Sequence, residues 1–162
     1  MSDNATLLLR WDQGREVVDG LIASGKLQRV FASREHAERL LDQSRKHLSS
    51  CDLTASKDPE GAYALLYDAA RKSLTAVLEV QGLRPTSVGG HVVIYQALKA
   101  QIDPPMGRIM STFNRLRRSR HDSEYPSLSG PELTEQDVRE DLEKAKEIVG
   151  VAQKLLDKFP IF

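Results

Sequence analysis

Apolar side chains recur at steps of three and four residues along most of this chain, which is the spacing of one face of an α-helix. The longest such stripe lies near the C-terminus and keeps helical period over about five turns. It consists of Val138, Leu142, Ala145, Val149, Ala152 and Leu156. A helix with one apolar face is stable in water only when that face packs against other elements. The stripe therefore predicts a bundle of packed helices.

Residues that favour helix N-termini mark where the other long helices begin. Ser33 precedes one helix-periodic stretch, and Asp58 followed by Pro59 precedes another. Serine and aspartate accept hydrogen bonds from the free N–H groups of a first turn, and proline lacks the N–H that would be free there. Thr134 has Asp137 three positions later, which is the spacing of a capping box. We predict that helices start just after Ser33, Asp58 and Thr134.

Glycine and proline predict where helices end. Gly82 with Pro85 ends one long helix, and Pro104-Pro105 kinks or breaks the next. A short helix over residues 16–22 comes before the first long one. The fold prediction is all-α: an antiparallel bundle of four main helices plus a short N-terminal helix. An arm before the short helix is expected to dock through Leu7, Leu8, Leu9 and Trp11.

The composition fits one helical domain outside the membrane. A chain of 162 residues can bury one core, and 40% apolar with only 6% aromatic residues predicts packing by Leu, Ala and Val. We divide it into an arm with a short helix at 1–32, the bundle at 33–157 and a tail at 158–162. No apolar run approaches the ~20 residues of a membrane helix. With Cys51 as the single cysteine and no signal peptide, a cytoplasmic location is expected.

A cluster of ionisable side chains lies where the apolar stripe of the fourth helix ends. Five arginines and no acid occur from position 108 to 120, followed by His121, Asp122, Glu124 and Tyr125. The stripe itself runs through Met106, Ile109, Phe113 and Leu116, and its next position is Arg120. The inward face thus changes from apolar to cationic. A guanidinium there needs an anionic or hydrogen-bonding partner, because leaving it buried and unpaired is costly.

Three phrases of the sequence, in their order and spacing, resemble the HEPN domain of prokaryotic toxin–antitoxin and defence systems. They are the third-helix phrase at residues 64–74, Gly89-Gly90-His91 at the start of the fourth helix, and the phrase at 120–126 that begins with Arg120. The likeness covers residues 33–157. It implies a helical homodimer whose two arginine-bearing motifs meet in a cleft. Active relatives are metal-independent RNases, and others are inert partners of a nucleotidyltransferase or interaction modules.

The arginine of the family's motif can be matched to either of two arginines in this chain. Counted from Arg120, the position of the family's histidine holds Glu124 or Tyr125. Counted from Arg115, five residues separate the arginine from His121, which satisfies the family spacing. Two side chains six apart on a continuous helix point to different faces. We prefer Arg120 because it lies on the inward stripe, and keep Arg115 as the alternate.

Metal-free RNA cleavage needs a base for the 2′-hydroxyl proton, a cation for the phosphate and an acid for the leaving oxygen. Arg120 would supply the cation, and His121 would carry protons because its ordinary pKa lies near neutrality. Asp122 would orient His121, and Tyr125 would position the phosphate. The expected RNA-backbone contacts are Arg115, Arg117 and Arg118.

Each of these assignments has a structural alternative. The three backbone arginines can form a basic face that pairs with the last helix, where seven acids and three bases lie between positions 132 and 147. Arg120 can form an intersubunit salt bridge, His121 can serve the helix C-terminus, and Tyr125 can pack as the chain turns. His91 is expected to cap or pack at a helix start, with a place in the cleft lining as the minor alternative. Tyr63, Tyr67 and Tyr95 are expected in the core or at its rim and receive no role. No metal site or cofactor is expected, since His36 and His47 lack metal-ligand spacing.

Two functions follow from the resemblance. The first is a toxin-like, metal-independent endoribonuclease, homodimeric, that cuts single-stranded RNA. The second is a catalytically inactive dimerisation and binding module partnered with a nucleotidyltransferase antitoxin.

Overall fold

The computed structural model describes residues 12–128 and 130–162, and these form six α-helices and one two-stranded sheet. The elements in chain order are α1 Arg15–Ala23, β1 Leu27–Arg29, α2 Arg34–Thr54, α3 Pro59–Val80, β2 Leu83–Pro85, α4 Val92–Ile102, α5 Gly107–Glu124 and α6 Glu135–Leu156. The all-α prediction is confirmed. The expected docking arm, with Leu7, Leu8, Leu9 and Trp11, lies outside the described residues.

The predicted helix starts are confirmed by their hydrogen bonds. Ser33 Oγ accepts from the backbone N–H of His36 at 3.0 Å, and α2 begins one residue after Ser33. Asp58 Oδ1 accepts from the N–H of Gly61 at 2.9 Å, with Pro59 as the first residue of α3. Thr134 and Asp137 form both halves of a capping box at the start of α6. These caps are local, so their spacing alone specified them.

Helix α3 is the central element of the bundle. It contacts α2 and α6 most extensively and also packs against α4, α5 and β2. The small side chains of Ala62, Ala69 and Ala76 are completely buried, which lets neighbouring helices approach closely. Leu66 and Leu74 are also completely buried. Burial of each leucine stabilises the fold by about 1.5–3 kcal/mol relative to an exposed side chain.

The two short strands were not predicted from the sequence. β1 and β2 pair antiparallel, with Gln28 opposite Arg84. Helix α1 contacts both α4 and β1. Residues 15–29 are therefore packed onto the bundle. The tail also contributes to the core, because Phe159 is only 6% exposed. The division into arm, bundle and tail stays a prediction.

The fourth predicted helix is broken, as the sequence indicated, into α4 and α5. Residues 103–106 separate them, and the peptide bonds preceding Pro104 and Pro105 are cis. Beyond the break, the apolar stripe of α5 enters the core with Phe113 and Leu116 completely buried. The end of that stripe brings Arg120 to the edge of the bundle beside α3 and the start of α4.

Candidate functional site

Arg120 lies one turn beyond Leu116 on α5, where the buried stripe ends. Its side chain is 26% exposed, and its Nη1 donates to Glu124 Oε2 at 2.8 Å. The pair is separated by four residues on one helix, which places the two side chains next to each other. The Arg120 guanidinium, expected on the inward stripe, is thus mostly buried and already has a carboxylate partner.

A cleft of about 330 Å³ opens between α3, the loop before α4 and the C-terminal half of α5. We call it the arginine cleft. Its lining contains two guanidiniums, two imidazoles, a phenol and two carboxylates. The lining residues are Tyr67, Asp68, Gly89, His91, Val92, Arg117, Arg120, His121 and Glu124. The arginine cleft therefore combines anion-binding groups with groups that transfer protons.

Arg117 is the cation of the arginine cleft that carries no ion pair among the described residues. Its Nε and Nη2 donate to Asn114 Oδ1 at 3.2 and 3.0 Å, and that amide is neutral. The two carboxylates of the cleft have partners: Asp68 pairs with Arg71 at 3.2 Å and Glu124 with Arg120. The unneutralised guanidinium gives the cleft a local positive charge, although the whole chain is neutral.

Tyr67 and His91 form the wall of the arginine cleft opposite α5. Tyr67 Oη and His91 Nδ1 are 3.0 Å apart, and the Tyr67 ring stacks on Phe113 at 5.8 Å between centroids. Burial raises the pKa of Tyr67 to about 12. Loss of solvent around the imidazole, and then the guanidinium of Arg71, lower the pKa of His91. At neutral pH the phenol is therefore protonated and the imidazole neutral. Because Nδ1 is engaged by the Tyr67 hydroxyl, Nε2 is the ring nitrogen left for proton transfer.

His121 also lines the arginine cleft, on the α5 side. The ring of Tyr125 packs on it, with centroids 5.0 Å apart and planes tilted by 47°. Tyr125 itself is 67% exposed and is not part of the cleft lining. Asp122 is exposed, and within the described residues no hydrogen bond joins it to His121. Of the four predicted catalytic residues, Arg120 and His121 meet in one cleft, Tyr125 contacts His121, and Asp122 stands apart.

The three predicted RNA-backbone arginines have different environments. Arg117 lines the arginine cleft. Arg115 makes two hydrogen bonds to Asp141 of α6, at 2.7 and 3.2 Å, and Asp141 also accepts from the Tyr63 hydroxyl at 2.8 Å. Arg115 thus behaves as the alternative described, a basic side chain paired with the acidic last helix. Arg118 is exposed and has no ion pair with any described residue.

Sequence reasoning assigned no site role to Tyr67 and Asp68, and it placed His91 in the cleft only as the minor alternative. It named Glu124 only as an occupant of the family's histidine position. Tyr67 and His91 are 24 residues apart, and only the packing of α3 against the start of α4 brings them together. The sole sequence signal was Gly89-Gly90-His91, which marked a helix start. It gave no indication that the imidazole would lie within hydrogen-bond distance of a phenol on the same wall of the cleft.

Metal sites and membrane spans do not occur in the part of the chain that the structure describes. No group of three or more His, Cys, Asp or Glu side chains among these residues is arranged to hold a metal ion. None of the helices in residues 12–128 and 130–162 has the length and apolar character needed to span a bilayer. The arginine cleft, with its guanidiniums and imidazoles, is better suited to an anion.

Comparison with protein-family models gives a match over most of this chain. The family model described as HEPN domain matches residues 31–155, which include the whole of α2 to α5 and nearly all of α6. Neither the curated proteins nor the solved structures gave a match.

Proposed function

The chain belongs to the HEPN domain family, and from this premise we propose that it is a metal-independent endoribonuclease that cuts single-stranded RNA at the arginine cleft. Family membership supports a nuclease, an RNA-related role or a binding module in general. The observation that carries the specific proposal is the cleft itself. It places Arg117 and Arg120 beside the imidazoles of His91 and His121.

The proposed reaction uses these groups in the way that phosphodiester cleavage requires. A base removes the proton of a 2′-hydroxyl, its oxygen attacks phosphorus, and an acid protonates the departing 5′ oxygen. The neutral His91 is proposed as the base that accepts the 2′-hydroxyl proton, and His121 as the acid that gives a proton to the departing oxygen. Arg120 and Arg117 would stabilise the charge that grows on the phosphate oxygens.

The remaining predicted residues take supporting roles in the proposal. Tyr125 packs on His121, which supports a positioning role for its ring. Arg118 is proposed to contact the RNA backbone outside the cleft, so binding should weaken as salt rises. The RNA contact predicted for Arg115 stays a prediction, and its guanidinium is paired with Asp141. The orienting role predicted for Asp122 also stays a prediction.

We test the proposal with Arg120→Ala and with Arg118→Ala as the matched control on the same helix. Arg120→Ala should reduce the cleavage rate of a fluorescent single-stranded RNA on the order of 100-fold, because one charge-stabilising donor is lost from the transition state. Arg118→Ala should retain most of the rate at saturating RNA, because the contact proposed for Arg118 lies outside the cleft and contributes to binding only. Cleavage should persist in EDTA. Intact RNA after incubation with the purified wild-type protein, or equal rates for the two variants, would contradict the nuclease.

The Arg120–Glu124 ion pair favours a second candidate function. A guanidinium neutralised by its own helix is a weaker phosphate ligand, as expected for an inactive dimerisation and binding module partnered with a nucleotidyltransferase antitoxin. Glu124→Gln keeps the shape of the side chain and removes its charge. If wild-type protein and Glu124→Gln both leave RNA intact while remaining dimeric, the binding module is the better interpretation. Faster cleavage by Glu124→Gln would support the nuclease instead.

A further inference from the structure

A second cleft, of about 430 Å³, adjoins the arginine cleft. His91 lines both clefts, and the Asp68–Arg71 ion pair has Asp68 in the first and Arg71 in the second. A ligand that occupies one cleft can therefore continue past the His91 side chain into the other. The volume falls in the range of pockets that hold small organic ligands.

The walls of the second cleft suit a flat, partly apolar group. Leu40, Pro85 and Ile94 supply apolar surface, while His36 and Arg84 supply two planar side chains. The imidazole and the guanidinium are both about half exposed. Planar cationic and aromatic side chains of this kind stack on nucleobases.

Arg84 is held in place by a buried carboxylate. Glu79 has a side chain only 1% exposed, and its two oxygens accept from Arg84 Nε at 2.8 Å and Nη2 at 3.3 Å. His36 Nε2 lies 3.8 Å from Glu79 Oε1. The pairing neutralises the guanidinium and weakens its attraction for phosphate. It also fixes the plane of the guanidinium, so that stacking on its face costs less side-chain entropy.

We propose that the second cleft binds the nucleobase of a nucleotide next to the phosphate held in the arginine cleft. The inference rests on the proposed function, since it takes RNA as the ligand of the arginine cleft. The substrate is then a segment of at least two consecutive nucleotides, with its backbone passing His91. The base stacks against Arg84 and His36 above the apolar surface.

The test blocks the second cleft without removing any of its contacts. Ser87 lines the cleft, is exposed, and makes no hydrogen bond with the described residues, so Ser87→Trp places an indole in the opening. The matched control is Val88→Trp on the same loop, because Val88 is 71% exposed and lines neither cleft. The probe is a fluorescent 2′-O-methyl hexaribonucleotide, which cannot be cleaved through its 2′ oxygen. Its affinity is measured by fluorescence anisotropy.

Ser87→Trp should weaken binding about tenfold, the effect of losing one stacked base, and Val88→Trp should change it less than twofold. A series of probes, each with one abasic position, then locates the contact. One abasic position should cost the wild type about tenfold and cost Ser87→Trp nothing, because the indole has already displaced that base. His36→Ala, which opens the cleft rather than filling it, should show a smaller loss at the same position.

Equal affinities for Ser87→Trp and Val88→Trp would overturn the base site, as would an abasic penalty that persists unchanged in Ser87→Trp. Arg120→Ala separates this result from the proposed function. If Arg120→Ala abolishes binding while Ser87→Trp has no effect, the arginine cleft stands and the base site falls. If Ser87→Trp shows the predicted loss of binding while the wild-type protein leaves cleavable RNA intact, the base site stands and the proposed nuclease falls.

Discussion

Arg115 and Arg118 are three positions apart on α5 and were predicted to act alike, but their surroundings differ. Arg115 binds the largely buried carboxylate of Asp141 through two hydrogen bonds, and Arg118 has no ion pair among the described residues. Arg115→Ala should lower the free energy of unfolding by about 1–2 kcal/mol, since Asp141 loses a charged donor at a half-exposed site. Arg118→Ala should change it by no more than ~0.5 kcal/mol. Urea denaturation of the two variants provides the comparison.

The sequence could not separate these two arginines, because the distinction depends on α6. Spacing along α5 places Arg115 and Arg118 on nearby faces, but only the tertiary packing puts Asp141 beside the first. Equal losses of stability in the two alanine variants would show that the Arg115–Asp141 pair contributes nothing.

Two histidines should make stability depend on pH. The pKa values of His47 and His91 lie below the ordinary 6.5, mainly through burial and then through Lys72 and Arg71 respectively. As pH falls through 6.5 the unfolded chain takes up protons that the folded chain does not, so the free energy of unfolding should decrease until the folded pKa values are passed. The double variant His47→Gln with His91→Gln should have a flatter profile between pH 7.5 and 5.5 in thermal unfolding. If the stability of the wild type and that of the double variant change equally with pH, these two histidines are not the source of the pH dependence.

Among the elements, helices were well predicted and the small sheet was not. Caps such as Ser33 and Asp58 act within one turn, so three residues of sequence contain the information. The strands are three residues each, and they pair across more than 50 residues of chain, Leu27 with Pro85. Such a pairing has no local signature, because it forms only after α2 and α3 have brought the two segments together.

The junction between α3 and β2 depends on a glycine. Gly82 has φ +76°, and a Cβ there would lie 2.8 Å from the carbonyl oxygen of Val30. Gly82→Ala should therefore destabilise the fold by about 1–2 kcal/mol. Gly20 lies inside α1, and a Cβ added there would have no other atom within 4 Å, so Gly20→Ala should stabilise by ~0.5–1 kcal/mol. In thermal denaturation, Gly82→Ala should lower the melting temperature and Gly20→Ala should raise it. A lower melting temperature for Gly20→Ala would contradict the prediction.

For the whole molecule, the homodimer predicted from the family resemblance has a candidate contact. Tyr125 is 67% exposed and Leu128 is fully exposed, next to the predicted motif. We expect sedimentation to give a mass near twice 18.1 kDa, and Leu128→Asp to shift it toward the monomer, because a charge would enter the apolar contact. Leu53→Asp is the control, since Leu53 is 78% exposed on α2. A monomer at all concentrations, or equal effects of the two substitutions, would contradict the dimer.

The sequence predicted one side of the arginine cleft and indicated the other only through the minor alternative for His91. The cationic end of α5 was visible because an apolar stripe continued into Arg120. The opposite wall, Tyr67 with His91, comes from α3 and the start of α4, and no spacing links them. A single helix reveals its own face in its sequence. The partner that this face meets emerges only from the assembled bundle.

Tyr67 belongs to the interior and to the arginine cleft at once: its ring stacks on Phe113, it is 2% exposed, and its hydroxyl reaches His91. In laboratory evolution aimed at this position, substitutions that change ligand binding would also lower folding stability. Substitutions of Tyr67 that reshape the cleft wall for a new ligand would be recovered only in variants that already carry stabilising mutations elsewhere.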